Sequence, residues 1–297
     1  MAPLVAGGTG WVALADGAYA GHLLAWTFGE GSTASSFAPE EGLAVAPGLP
    51  PMVARRVVEE LVAAAARAWV AGGIRNHVVN VPVDEAVVRD ALTWLGYGMF
   101  VVNALRGLDD ASMAALPAGA PAGVHVRRAD PDDLAAVLLL DRGLRRHLVD
   151  APTFLVLTDH QDPDEIASLL ADPGTATFLA EDACMPVAFL RVAVPGNDVA
   201  TLVKDAGTLS ITGAFTRADH RGGGVAAALV GVAAAWARER GHVRLGVDFE
   251  SANILASRFW TRWFTPVVDA YVRRLPGAAG SPAASPDPED LAGTGAP

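Results

Sequence analysis

The sequence of 297 residues holds one cysteine, Cys184. No internal disulfide can form from it, and no thiolate metal cluster can be built on it. A reducing, cytoplasmic setting is therefore expected. The 7 histidines show no HxH or HxxxH spacing, so no metal site is expected. Positive charge is scarce: 22 Lys and Arg stand against 33 Asp and Glu, a net charge of −11. That balance argues against a nucleic-acid partner, which would want a basic surface. It is compatible with a cationic acceptor such as an amine. Long apolar runs are missing too. Stretches such as residues 225–237 are Ala-rich and too short to span a bilayer, so no membrane partner is expected. The N-terminus shows no basic segment followed by an apolar core, and a secretory leader is not expected.

What is present is apolar bulk, 52% of the chain, enough for a core in each of two domains. Two breaks in composition divide it. Residues 111–123 (ASMAALPAGAPAG) are small and Pro-rich and read as a linker. From residue 276 to 297 there is little but Gly, Ala, Pro, Ser and acid, which reads as a disordered tail. Between these breaks, 124–275 reads as strand, two helices, three strands, helix, strand, helix, strand. This is a mixed α/β sheet. Residues 1–110 end in the same way but lack the first strand and helices. They read as a shorter variation on the second half. Whether the two halves pack within one chain or across a homodimer is open at this level.

The chemistry gathers at Arg221-Gly222-Gly223-Gly224-Val225-Ala226. Three glycines let backbone N–H groups turn to one side without a Cβ in the way. The helix that follows leaves its first N–H groups unpaired and presents a positive dipole end. Together they suit a phosphate, and the Arg221 fork adds a charge. A plain glycine turn between strand and helix is the alternative. Gly222-x-Gly224-x-x-Ala227 also fits the dinucleotide fingerprint, with Asp248 about where its ribose acid should be. Against that, a polar insert at residues 216–220 separates the preceding strand from the glycines, and too little chain follows for a long alternating sheet. No Lys-Ser/Thr follows the glycines, so a nucleoside-triphosphate loop is absent.

The arrangement resembles the GNAT superfamily of acyl-CoA-dependent N-acyltransferases, whose pattern Arg/Gln-x-x-Gly-x-Gly/Ala stands at a strand-to-helix loop. Asn253, Ala256, Phe259-Trp260 and Trp263-Phe264 follow the family's later run of Asn, Ala, an aromatic pair and Gly-Phe. The resemblance implies two GNAT-like domains in tandem, the first degenerate. It implies acetyl-CoA as co-substrate and transfer of its acetyl group to an amine of a small molecule or peptide, by direct attack. It also implies that backbone groups of Ile211, Thr212, Gly213, Ala214 and Phe215 hold the pantetheine and acyl carbonyl. The N–H groups of Arg221, Gly222, Gly223, Gly224, Val225 and Ala226 would hold the pyrophosphate, and the Asn253 amide would touch the cofactor.

Two departures stand out. Trp260 occupies the place where the family often has a Tyr acid, and an indole N–H has no acid chemistry to offer. The strand at 209–216 carries no carboxylate, which leaves Asp248 and Glu250 on the neighbouring strand as candidate bases, acting through water. These departures favour a second reading, a non-catalytic acyl-CoA sensor or regulatory module. In the first half, the matching loop is Ala46-Pro47-Gly48-Leu49-Pro50-Pro51, where three prolines remove N–H donors. That half is expected to shape or support the site rather than hold a pyrophosphate.

Overall fold

The structure is a computed structural model and describes residues 9–117, 119–157, 162–195 and 203–276. The tail expected from residue 276 lies outside these residues, save for Pro276 itself. The chain opens with β1 (Thr9–Ala15) and β2 (Ala18–Phe28), a hairpin turning on Asp16-Gly17 at φ 52° and 80°. Positive φ at both positions is what an Asp-Gly turn supplies. Then come β3 (Ser35–Ala38), β4 (Leu43–Val45), α1 (Pro51–Ala71), β5 (Asn76–Pro82), α2 (Ala86–Trp94) and β6 (Gly98–Gly107). β3 has no clear signal in its sequence, SSFA. Pairing creates it, since it lies parallel to β5 and antiparallel to β2.

The stretch read as a linker begins inside α3 (Asp110–Ala114). The Asp109 carboxylate accepts from the Ser112 N–H and caps this helix, and Leu116 behind it is buried. The second half contains β7 (Val124–Arg128), α4 (Leu134–Val149), α5 (Pro163–Ala171), β8 (Ala176–Asp182), β9 (Met185–Ala193) and β10 (Thr208–Thr216). It closes with α6 (Val225–Glu239), β11 (Arg244–Glu250), α7 (Ile254–Trp263) and β12 (Thr265–Arg274).

Among the described residues, all strands join one mixed 12-stranded sheet, ordered β1-β2-β3-β5-β12-β6-β11-β10-β9-β8-β7 with β4 beside β2. The two halves exchange their last strands. β6 of the first half lies between β11 and β12 of the second, and β12 lies between β5 and β6. Neither half has a continuous sheet without the other's strand. An ion pair crosses this junction, with Arg89 Nη2 on α2 2.9 Å from Asp269 Oδ2 on β12.

Cross-strand partners share a face, which places the helices. Val102 on β6 packs in the core beneath α6 and α7, and its partner Asp269 shares β12 alternation with Tyr271, which packs with α1 and α2. These four helices therefore cover one face. α4 and α5 cover the other, over Leu179 and Phe189. Among the described residues, no helix of the first half covers that second face. The buried stripe of α6 is mostly alanine (Ala227, Ala228, Ala233, Ala234 and Ala237), which lets the helix lie close to the sheet.

Candidate functional site

The parallel strands β10 and β11 pair only from Thr208 with Arg244 to Ile211 with Val247. Beyond that point they part. β10 runs on to Thr216 along β9, with a register shift between Ile211 and Gly213, while β11 runs on to Glu250 along β6. The edge of β10 past Ile211 thus presents backbone groups without a strand partner, and such groups require a ligand or water. α4 lies tight against this edge. A Cβ added at Gly143 would stand 2.6 Å from Cε1 of Phe215.

β10 leads through a 3-10 turn, Ala218–His220, into the glycine loop. Gly222 has φ 79° and Gly224, the residue before α6, φ 90°, a backbone that other residues adopt only with strain. The first helical bond runs from the Ala228 N–H to the Gly224 carbonyl at 3.0 Å. The amides of Val225, Ala226 and Ala227 are thus free of intrahelical partners and point out of the positive helix end. Arg221 folds back over β10. Its Nε donates to the Thr216 carbonyl at 2.9 Å, and its guanidinium sits 5.6 Å from the Phe215 ring centre.

Loop and strand gap open into one cleft of about 580 Å³. Ala214, Phe215, Arg221, Gly222, Gly224, Val225, Ala226 and Asn253 line it, as does Trp260. Ile211, Thr212, Gly213 and Gly223 do not line it. Ile211 is buried in the core, and Thr212 and Gly213 form the kink where the strands part. Asp248 and Glu250 are also outside the lining. Leu245, Val247 and Phe249 point into the core beneath α6 and α7, so strand alternation sends Asp248 and Glu250 to the face that carries α4 and α5. Asp248 stands opposite Asn103 of β6 there, so the exchanged strand borders it.

The structure adds His147 of α4 to the lining of the cleft. Its Nε2 lies 3.3 Å from Asn253 Oδ1, and that oxygen also accepts from the Ala256 N–H at 3.2 Å, capping α7. The pair bridges the cleft between α4 and α7. No spacing rule joins residues so far apart in the chain. Trp260 is buried and packs edge-on against Phe259 and Phe264, a large apolar wall.

One charged cluster flanks the glycine loop. His220 Nε2 lies 3.1 Å from Asp182 Oδ2 and its Nδ1 3.0 Å from Asp219 Oδ1. Bonding to Asp219, then to Asp182, raises the His220 pKa above its ordinary 6.5 and favours imidazolium at the cleft rim. The same contact with His220 holds the Asp219 carboxyl below its usual range. Among the described residues, no group of His, Cys, Asp and Glu could hold a metal ion. None of the described helices is long and apolar enough to cross a membrane.

With this geometry in view, comparison with known families gives one match. Residues 143–264 match the profile of the acetyltransferase (GNAT) family. The match starts on α4 and ends at the close of α7, so it spans the cleft, the glycine loop and Asn253. Among solved structures, the chain is similar to a GCN5-related N-acetyltransferase from Sphaerobacter thermophilus. Identity is 16% and the TM-score 0.51, over 90% of this chain and 81% of that one. A GCN5-related N-acetyltransferase from Kribbella flavida gives 15% identity and a TM-score of 0.47, over 91% of each chain. A tandem GNAT protein from the clavulanic acid biosynthesis pathway gives 12% and 0.43, over 89% and 82%. No curated protein matches the sequence. The Sphaerobacter likeness is one of fold, and the fold is the mixed α/β sheet of GNAT proteins.

Proposed function

We propose that the chain is an acetyl-CoA-dependent N-acetyltransferase with one cofactor site, in its second half. The observation that carries this reading is the parting of β10 and β11 beside a glycine loop that opens α6. The loop amides and the α6 terminus hold the pyrophosphate. The free edge of β10 holds the pantetheine amides, and its N–H groups receive the charge that develops on the acyl oxygen. With Oδ1 of Asn253 engaged by Ala256 and His147, the donor end of its amide remains for the cofactor. Acetyl-CoA supplies the thioester; an amine nitrogen bonds to its carbonyl carbon as the carbon–sulfur bond breaks.

Asp248 or Glu250 takes the amine proton through water from the α4 side of the sheet. Trp260 cannot protonate the departing sulfur. A thiol with a pKa of about 8.5 makes a tolerable anionic leaving group, and solvent provides its proton. The acceptor is an amine of a small molecule or peptide, in keeping with the net charge of −11. The first half is a degenerate GNAT-like partner. Pro47, Pro50 and Pro51 remove N–H donors at the start of α1, and its strand β6 completes the sheet beside β11. The single cysteine suits a cytoplasmic setting.

Calorimetry with acetyl-CoA on the wild type and on Gly224→Trp tests the site, with binding expected only for the wild type. Equal affinity in both would end the proposal. Trp260 favours a second reading, an acyl-CoA sensor without turnover. A thiol-release assay across an amine panel separates the two, since acceptor-dependent release excludes a pure sensor.

A further inference from the structure

A charged side chain lies under the point where β10 and β11 part. Arg191 on β9 faces the α4 and α5 side. Its Nε donates to the Thr212 hydroxyl at 3.1 Å and its Nη2 to the Thr212 carbonyl at 3.4 Å. Thr212 is the residue skipped in the register between Ile211 and Gly213. Gly213 fits here because it has no side chain. A Cβ would stand 3.2 Å from Arg191 Nη2 and 3.3 Å from the Phe189 ring. The Arg191 Nη1 is buried with no hydrogen-bond partner. Burial pulls the guanidinium pKa below its ordinary value, opposed by the charges of Asp141 on α4 and Glu165 on α5. Placing a cation here is costly, and a neutral side chain would serve packing alone.

We propose that Arg191 is a positioning residue that holds the β10 kink open, so that the acyl-binding edge is formed before any ligand arrives. A straight β10 could go on pairing with β11 beyond Ile211 and close the gap. Two bonds from a guanidinium to one residue, its hydroxyl and its carbonyl, fix Thr212 off that ladder. The cation also lies one residue from the free edge, where it favours negative charge on the acyl oxygen. This second consequence rests on the acyl-CoA reading, whereas the first does not.

Amide hydrogen exchange of the ligand-free chain tests the first. In Arg191→Met, the edge amides of residues 212–216 should gain β11 partners and exchange about tenfold more slowly than in the wild type, and Arg191→Lys, which keeps the charge but not the fork, should fall between them. Unchanged or faster exchange at the kink in both variants overturns the proposal. If Arg191→Met does not fold, Arg191→Lys decides alone by the same criterion. Calorimetry tests the second. Acetyl-CoA affinity should fall about tenfold in Arg191→Met while ADP, a probe of the glycine loop, binds as in the wild type. Equal losses for both ligands would make Arg191 a general structural residue and overturn the positioning role. A wild type that binds no acetyl-CoA removes the acyl-CoA reading, and the exchange result then judges Arg191 by itself.

Discussion

At the scale of single residues, charge placement gives the sharpest expectations. His220 gains two carboxylate neighbours on folding, so its folded pKa is raised. A raised histidine contributes stability that is fully present below its unfolded pKa of 6.5 and is lost as pH rises through the folded value. The difference in Tm between wild type and His220→Gln should therefore shrink from about pH 5.5 to about pH 8.5. A difference that stays constant across that range would contradict the pairing with Asp219 and Asp182. The Arg89–Asp269 pair gives an asymmetric case. The Asp269 side chain is 4% exposed and the Arg89 side chain 35%. Arg89→Ala strands a buried carboxylate, whose pKa burial already raises, and should cost about 3 kcal/mol. Asp269→Asn leaves an arginine that water can reach, and should cost about 1 kcal/mol. Urea unfolding of both variants measures the order, and a larger loss in Asp269→Asn would refute it.

At the scale of elements, local signals located the strands and helices around the cleft. The glycine triplet before an apolar run marked the start of α6, and short strand-forming runs bounded by turn residues marked β8 to β12. β3 escaped because only its neighbours β2 and β5 make SSFA a strand. α3 escaped because small residues and Pro117 suggested a linker, while a cap at Asp109 and a buried Leu116 order its start. The approach of α4 to β10 is a contact that no local pattern carries. Gly143 lies against Phe215, itself a wall of the cleft. Gly143→Leu should push α4 and Phe215 apart at a cost of about 1–3 kcal/mol and weaken acetyl-CoA binding with it. A melting scan and calorimetry on the same sample check both. A stable variant with wild-type affinity would show that the approach is dispensable.

At the scale of the whole molecule, the exchange of β6 and β12 makes the two halves interdependent. Residues 124–275 produced alone would leave one edge of β11 and both edges of β12 unpaired, and such open edges are prone to association. Each half alone should therefore be aggregated or unfolded, while the two expressed together should co-purify as one stable complex in size-exclusion chromatography. A monomeric, folded second half with wild-type acetyl-CoA affinity would remove any need for the first. The exchange also sets Asn103 of β6 opposite Asp248, one of the two bases proposed above.

The sequence by itself determined the local chemistry. The glycines, the helix behind them and Asn253 are features of short windows, and backbone sterics and dipoles act over such distances. Residues brought together from distant parts of the chain were decided only in three dimensions. Sheet pairing set the parting of β10 and β11, and the facing of α4 and α7 set the His147–Asn253 bridge. Arg191 met Thr212 across adjacent strands, and β6 entered the other half's sheet. Strand order and helix facing follow from burying apolar surface across the whole molecule, and no window of sequence contains that sum.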